Sequence, residues 1–165
     1  SINRTVAQHL AAQAPEGVVV EEVQIGDLPL YTQDLDSESI PAYERVRAQL
    51  QAADAVLIVS PEHNRSMPAA VKNLLDIASR PAGKSLWGGK KTAVITASPG
   101  SYGGINSGLH IRQSLQAMSA DVMIAPEVFL SRAHTALADG QVSDARTAAF
   151  LNKFAAAFYG WAQAE

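Results

Sequence analysis

The chain has no cysteine among its 165 residues. That excludes disulfides, thiolate nucleophiles and thiolate metal sites, and points to an intracellular, cytoplasmic setting rather than an oxidising one. It also leaves no side chain able to run reversible two-electron redox chemistry unaided, and it dismisses a low-molecular-weight phosphatase, which needs a cysteine nucleophile. Charged residues make up only 18% of the chain, with a net charge of -3. No long acidic or basic block occurs, so neither nucleic acid nor an anionic membrane surface is indicated as a partner. No apolar run approaches the roughly 20 residues that span a bilayer, and the opening residues carry no signal-peptide pattern. Internal repeats, low-complexity tracts and interdomain linkers are also missing. Residues 1–165 therefore read as a single domain, long enough to bury roughly two-thirds of its unfolded surface.

What is present is organised around Ala55 to Arg80. The unbroken apolar run Ala55 to Val59 is too short for a lone helix and rich in β-branched residues, as in a strand buried on both faces. It turns abruptly polar at Pro61, Glu62, His63, Asn64, Arg65 and Ser66, and then Pro68 opens a helix on which Val71, Leu74, Leu75 and Ala78 mark one face. A buried strand, a polar tip and an amphipathic helix form the β-α unit of an open α/β sheet, where ligands sit beyond the carboxyl ends of the strands. Thr92 to Ala97 repeats the pattern. Its tip is Ser98-Pro99-Gly100-Ser101-Tyr102-Gly103-Gly104, where glycines permit close approach of backbone amides to a flat ligand; a tight turn is the plainer reading.

The remaining segments fill in the frame. Val6, Ala7, Leu10 and Ala11 place a helix at the start, capped by Ser1 or Asn3, and its amino end is an ordinary cap or an anion site. Val18 to Ile25, with Glu21, Glu22 and Gln24 interspersed, fits an edge strand with one wet face. Gly26 to Ser39 is a long connection whose Leu28, Pro29, Leu30 and Tyr31 either fold back on the domain or meet a partner chain. Tyr43, Val46 and Leu50 mark a second helix, and 81–90 reads as loop. Gly83-Lys84-Ser85 lacks the upstream glycine and the strand-turn-helix context of a P-loop. Leu109, Arg112, Leu115 and Met118 mark another helix and Asp121 to Ala125 a short final strand. Phe129 to Gly140, with His134, reads as irregular. A last helix starts near Ser143, with Phe150, Phe154, Ala157, Phe158 and Trp161 as its core face. His9 and His110 lie in helices with no carboxylate cluster beside them, so no metal site is expected.

Three blocks together resemble one family. Pro61-Glu62-His63-Asn64 with Ser66, Pro68, Lys72-Asn73, Asp76 and Ser79-Arg80 is similar to the flavin loop of the NAD(P)H-dependent FMN reductases, the group of chromate, quinone and azo-dye reductases. Thr96-Ala97-Ser98-Pro99-Gly100 with Gly103-Gly104 resembles their second flavin loop, and Leu28-Pro29-Leu30-Tyr31 with Asp34 the segment after their second strand. The resemblance implies a flavodoxin-like three-layer α/β sandwich with a parallel sheet in the order 2-1-3-4-5. In that order the first strand is internal, and Ser1-Ile2-Asn3 matches only the end of the family's phosphate turn. Roughly one strand and one turn are therefore expected upstream of Ser1, which is itself not a natural initiator; intact mass tests this.

The resemblance also implies FMN as cofactor and NADPH or NADH as hydride donor. Ser1, Asn3 and Arg4 would hold the phosphate, Pro61 to Ser66 the ring and ribityl groups, and Ser98, Pro99, Gly100, Tyr102, Gly103 and Gly104 the pyrimidine side. No side chain need be catalytic, since the flavin carries the chemistry. His63 stands where the family usually has tyrosine and becomes a modulator; Ile77 stands where tryptophan is frequent. Arg80 is a substrate contact or a structural ion-pair partner. The acceptor would be a quinone, an azo or nitro compound, or a metal oxyanion such as chromate, and the assembly a homodimer or homotetramer. A flavodoxin-type electron carrier without NAD(P)H turnover and a cofactor-free binding protein stay open. A receiver domain would need an aspartate where Ser60 stands.

Overall fold

The computed structural model describes all 165 residues. In chain order they form α1 (Ile2–Ala12), α2 (Pro41–Ala52), β1 (Ala55–Ser60), α3 (Ala69–Ala78), β2 (Lys91–Ala97), α4 (Ile105–Ala117), β3 (Asp121–Val122), β4 (Phe129–Leu130), β5 (Leu137–Ala138), β6 (Gln141–Val142) and α5 (Ala145–Gln163). The two apolar runs become β1 and β2, paired in parallel from Ala55 opposite Lys91 to Ser60 opposite Thr96.

Strand alternation decides which helices cover which face. Ile58 and Val94 point to one side, where they pack with Tyr43, Val46 and Leu50 of α2, Leu74, Leu75 and Ile77 of α3, and Ile111 and Leu115 of α4. Ala93, Ile95 and Ala97 point to the other, against Val6 and Leu10 of α1 and Leu151, Phe154 and Phe158 of α5. The result is the three-layer, flavodoxin-like α/β arrangement. Each fully buried Leu or Phe adds about 1.5–3 kcal/mol. No helix is long and apolar enough to cross a membrane.

Several expectations need correction. Val18 to Ile25 is not a strand: its backbone has no ladder partner, and the sheet consists of β1, β2, β3 and β4 only, with a separate β5–β6 hairpin. Its alternating pattern reflects partial burial, with Val23 and Ile25 resting against the α2–α3 side while Val19 is 92% exposed. The strand expected over Asp121 to Ala125 is broken. β3 pairs with β2 at Lys91 and Thr92, and β4 rejoins it at Thr96 and Ala97; between them lies Pro126, which has no N–H to give a ladder. The supposedly irregular Phe129 to Gly140 holds β4 and half of a hairpin turning at Asp139-Gly140, both in the left-handed region at φ 52 and 72. The core face of α5 is Leu151, Phe154, Ala155, Phe158 and Tyr159, whereas Phe150 and Ala157 face solvent.

The 26–39 connection folds back on its own chain. Asn73 of α3, buried, accepts the Tyr31 N–H through Oδ1 at 2.8 Å and donates from Nδ2 to Leu28 O and Pro29 O. Tyr43 Oη adds a bond to Pro29 O at 2.7 Å. Leu28 is buried by this, but Leu30 remains 80% exposed. The 81–90 loop is likewise anchored, by a fully buried Trp87 whose Nε1 donates to Leu75 O at 3.0 Å.

Candidate functional site

Because β1 and β2 are parallel neighbours, the loops leaving Ser60 and Ala97 emerge side by side, at the edge where α/β sheets take ligands. The first loop closes on itself. His63 N–H donates to Ser66 O at 2.9 Å and Ser66 N–H to His63 O at 3.0 Å, around Asn64 at φ 50 and Arg65 at φ 67. This is the two-residue turn that demands left-handed backbone twice. Asparagine adopts that conformation readily; arginine does so at a cost of about 1–2 kcal/mol.

Two side chains fasten this turn to α4. Glu62 Oε1 accepts the Ser107 N–H at 3.0 Å, in the first turn of a helix that has no side-chain cap of its own at Gly104. A carboxylate there meets free amides and the positive end of the helix dipole. Ser66 Oγ lies 2.9 Å from His110 Nδ1.

The second loop is held from beneath. Gly103 and Gly104 sit at φ 64 and 77, and a Cβ on them would lie 2.6 Å from Phe129 O and 2.9 Å from Thr96 Cβ. The close approach these glycines permit is thus to the chain itself. Thr96 Oγ1 donates to Gly103 O at 2.6 Å, Ser98 Oγ accepts the Gly100 N–H at 3.1 Å, and Arg132 N–H donates to Gly100 O at 2.9 Å.

The amino end of α1 belongs to the same edge. Ser1 Oγ accepts the Arg4 N–H at 3.3 Å, as a cap should. Asn3, only 8% exposed, donates from Nδ2 to Ala97 O at 3.0 Å and so ties the helix start to the tip of β2. Its Oδ1 is buried without a partner, an acceptor that normally finds a donor. Arg4 makes a surface ion pair with Glu22 at 2.8 Å, both half-exposed, a contact worth little and easily exchanged. A depression of about 330 Å³ beside Ser1 and Thr5 is closed on the other side by His134, Asp139 and Gly140. A groove of about 360 Å³ between Val122, Ile124 and Trp161 lies at the opposite, amino end of β2 and gathers almost no polar groups.

The structure therefore brings together Ser1, Asn3 and both loops, which are bridged by the Arg65 guanidinium 5.0 Å over the Tyr102 ring. Arg80 stays apart. It follows α3, which leads away from the first loop for about 15 Å, and stacks on Tyr31 at 5.9 Å. Burial, then the bond from its hydroxyl to Asp36 at 2.7 Å, pushes the Tyr31 phenol pKa up. The sequence reading named Thr96 only within a motif and His110 only as a helical residue, and it passed over Ser107; the roles of all three depend on contacts across the fold. It also missed the hairpin whose Asp139-Gly140 turn closes the depression beside Ser1, although Asp-Gly signals such a turn.

An open parallel sheet, polar loops on neighbouring strand ends and a helix amino end beside them make this a flavodoxin-like protein of the cofactor-binding kind. The chain belongs to the NADPH-dependent FMN reductase family, whose model matches residues 1–135. It is 42% identical to a quinone reductase of Pseudomonas putida, covering 98% of this chain and 87% of the relative. It is 38% identical to a 2-hydroxy-1,4-benzoquinone reductase of Burkholderia sp, covering 98% and 88%. Its fold superposes on FerB, a flavoenzyme NAD(P)H:(acceptor) oxidoreductase from Paracoccus denitrificans, with a TM-score of 0.90, 35% identity and coverage of 99% and 90%. FMN and NAD(P)H are thus its cofactor and hydride donor, and the residues present fit the former. The unpartnered Asn3 acceptor suits a ligand hydroxyl, and the free amides of α1 suit a phosphate.

Proposed function

We propose that this protein reduces quinones with NAD(P)H, taking one hydride and one proton to convert each quinone to its hydroquinone while NAD(P)H leaves as NAD(P)+. The observation that carries the proposal is the junction at Asn3, which joins the α1 amino end to the β2 tip and keeps one buried acceptor free. Bound FMN supplies the hydride relay that no side chain here can perform. The names of the relatives from Pseudomonas putida and Burkholderia support a quinone as acceptor; chromate and azo or nitro compounds are further acceptors in the same reading.

The chain's own contribution is positional and electrostatic. Ser1, Asn3 and Arg4 hold the phosphate end of the cofactor, with Arg4 exchanging its surface partner. Pro61, Glu62, His63, Asn64 and Ser66 would present main-chain and side-chain groups to the ring and ribityl chain, and within Ser98 to Gly104 the amides of 101–104, not spent on bonds within the chain as those of Ser98 and Gly100 are, would favour negative charge on the pyrimidine side. In this reading residues 1–165 work as one domain, in the cytoplasm where NAD(P)H is supplied, and the exposed Leu30 belongs to a homodimer contact. Arg80, stacked on Tyr31 beside that contact, shapes the loop rather than touching substrate.

The test is steady-state turnover after reconstitution with FMN. Consumption of NADH or NADPH equal to the quinone reduced supports the proposal. FMN binding without any nicotinamide oxidation would instead identify a flavodoxin-type carrier.

A further inference from the structure

The family's chemistry does not explain why the two loops are bridged by a cation lying on an exposed aromatic ring. Tyr102 is 62% exposed. Arg65 holds its guanidinium 5.0 Å over that ring from a left-handed backbone position at φ 67, where arginine is costly. The turn demands the left-handed backbone at this position, but it does not demand an arginine there. Arginine at that position and an exposed Tyr102 together place a flat, charged surface at the mouth between the loops.

Around the mouth, arginines outnumber carboxylates. The two loops and the β4 segment that supports them, 60–66, 98–104 and 129–134, contain Arg65, Arg132, His63 and His134 but only one carboxylate, Glu62. That carboxylate is engaged by the Ser107 N–H. Arg132 is exposed and follows directly on the Gly100 contact. The three ion pairs of the chain, Arg4–Glu22, Arg45–Asp27 and Lys72–Asp76, involve neither arginine. A chain of net charge -3 therefore presents two arginines without an ion-pair partner, Arg65 and Arg132, at this edge, which favours anions there.

We infer that Arg65 and Tyr102 form a docking platform for the electron acceptor, selecting planar acceptors that carry a negative charge, such as hydroxyquinone or quinone-sulfonate anions. This rests on the function proposed above and deepens it by naming the acceptor class. Tyr102 offers a face to the acceptor's ring, while Arg65 supplies the planar fork that pairs with an oxyanion and stacks at the same time. Arg65 thus acts as a specificity-determining residue, and it belongs with Tyr102 to the acceptor rather than to FMN.

The test measures binding without turnover. Oxidised, FMN-loaded protein is titrated calorimetrically, in the absence of NAD(P)H, with anthraquinone sulfonate and with its uncharged hydroxymethyl analogue. The expected result is that R65Q weakens the sulfonate about tenfold, the loss of one charge-assisted contact, and the neutral analogue less than about twofold. R65K should retain part of the preference, and Y102L should weaken both ligands. Added salt should weaken the sulfonate more in the unsubstituted protein than in R65Q, where Arg132 remains. Equal effects of R65Q on the two ligands, or an unchanged sulfonate affinity, would overturn the inference. So would loss of FMN from R65Q, read beforehand from flavin absorbance, because Arg65 would then belong to the cofactor. Failure of the unsubstituted protein to load FMN would instead sink the proposed function and this inference with it.

Discussion

The two loops that flank the candidate site reach the same edge of the sheet by opposite means. The first is built from side chains: Glu62 reaches across to α4, Ser66 to His110, and two non-glycine residues accept left-handed backbone between them. The second is built by leaving side chains out, since Gly103 and Gly104 lie where any Cβ would strike Phe129 O or Thr96. A loop pinned by polar anchors tolerates change everywhere except at the anchors. A loop pressed onto its own strand tolerates no added atom, because backbone cannot give way as a flexible side chain can.

Reciprocal substitutions break or sharpen that contrast. The largest effect is expected for G103A, which combines a positive φ with a 2.6 Å approach to a backbone carbonyl. It should cost about 3 kcal/mol or more, a fall of about 6 to 12 °C in Tm, measured by thermal unfolding. G104A should cost about 2 kcal/mol, because its neighbour is the Thr96 side chain. On the first loop, E62A should cost about 1–2 kcal/mol through the uncapped amides of α4, and hydrogen exchange should rise in the first turn of that helix. R65G, glycine's counterpart to G103A, should move Tm by less than about 2 °C, because relief of left-handed strain offsets the added freedom of the unfolded chain. If R65G proves as damaging as G103A, the contrast is wrong.

Capping gives a finer version of the same comparison. Asp144 caps α5 from within its own sequence and accepts the Thr147 N–H at 2.9 Å; Glu62 serves α4 from 45 residues away. The Thr147 N–H, then its hydroxyl, pulls the Asp144 pKa below its ordinary 3.8. The unfolded chain takes up that proton first as pH falls. The stabilisation is therefore complete above the ordinary value and is lost as pH drops through the depressed one. D144N should flatten the acid limb of the Tm-versus-pH curve there and lower Tm at neutral pH by about 2 °C.

Those two caps also show what could be read from residues alone. Asp144 was not named, but the start of its helix near Ser143 was legible because a cap and the helix it serves are consecutive. The parallel pair β1 and β2 was legible because unbroken apolar runs admit few other placements, and the neighbouring tips followed from it. Glu62, by contrast, was singled out for its place in a motif, while its bond to Ser107 depends on how α4 lies against the first loop, which no local pattern encodes. Val18 to Ile25 misled for a related reason: alternation reports one wet and one dry side, but a strand also needs a partner, and partnership is a property of the sheet. Among the family-motif residues, Asn73 and Arg80 turn out to hold the 28–31 loop rather than the mouth. Ser1, one of the two caps the sequence offered for α1, does cap it, yet nothing in Ser1-Ile2-Asn3 announced that Asn3 would fasten the helix to Ala97.

That fastening is where the account is most exposed. Fluorescence titration of FMN into the unsubstituted protein and into N3L, with helix content checked by circular dichroism, tests it directly. One FMN per chain should bind at micromolar concentration or tighter, with an affinity about tenfold weaker in a folded N3L. Flavin left free in solution by the unsubstituted protein, or held equally well by N3L, would contradict it.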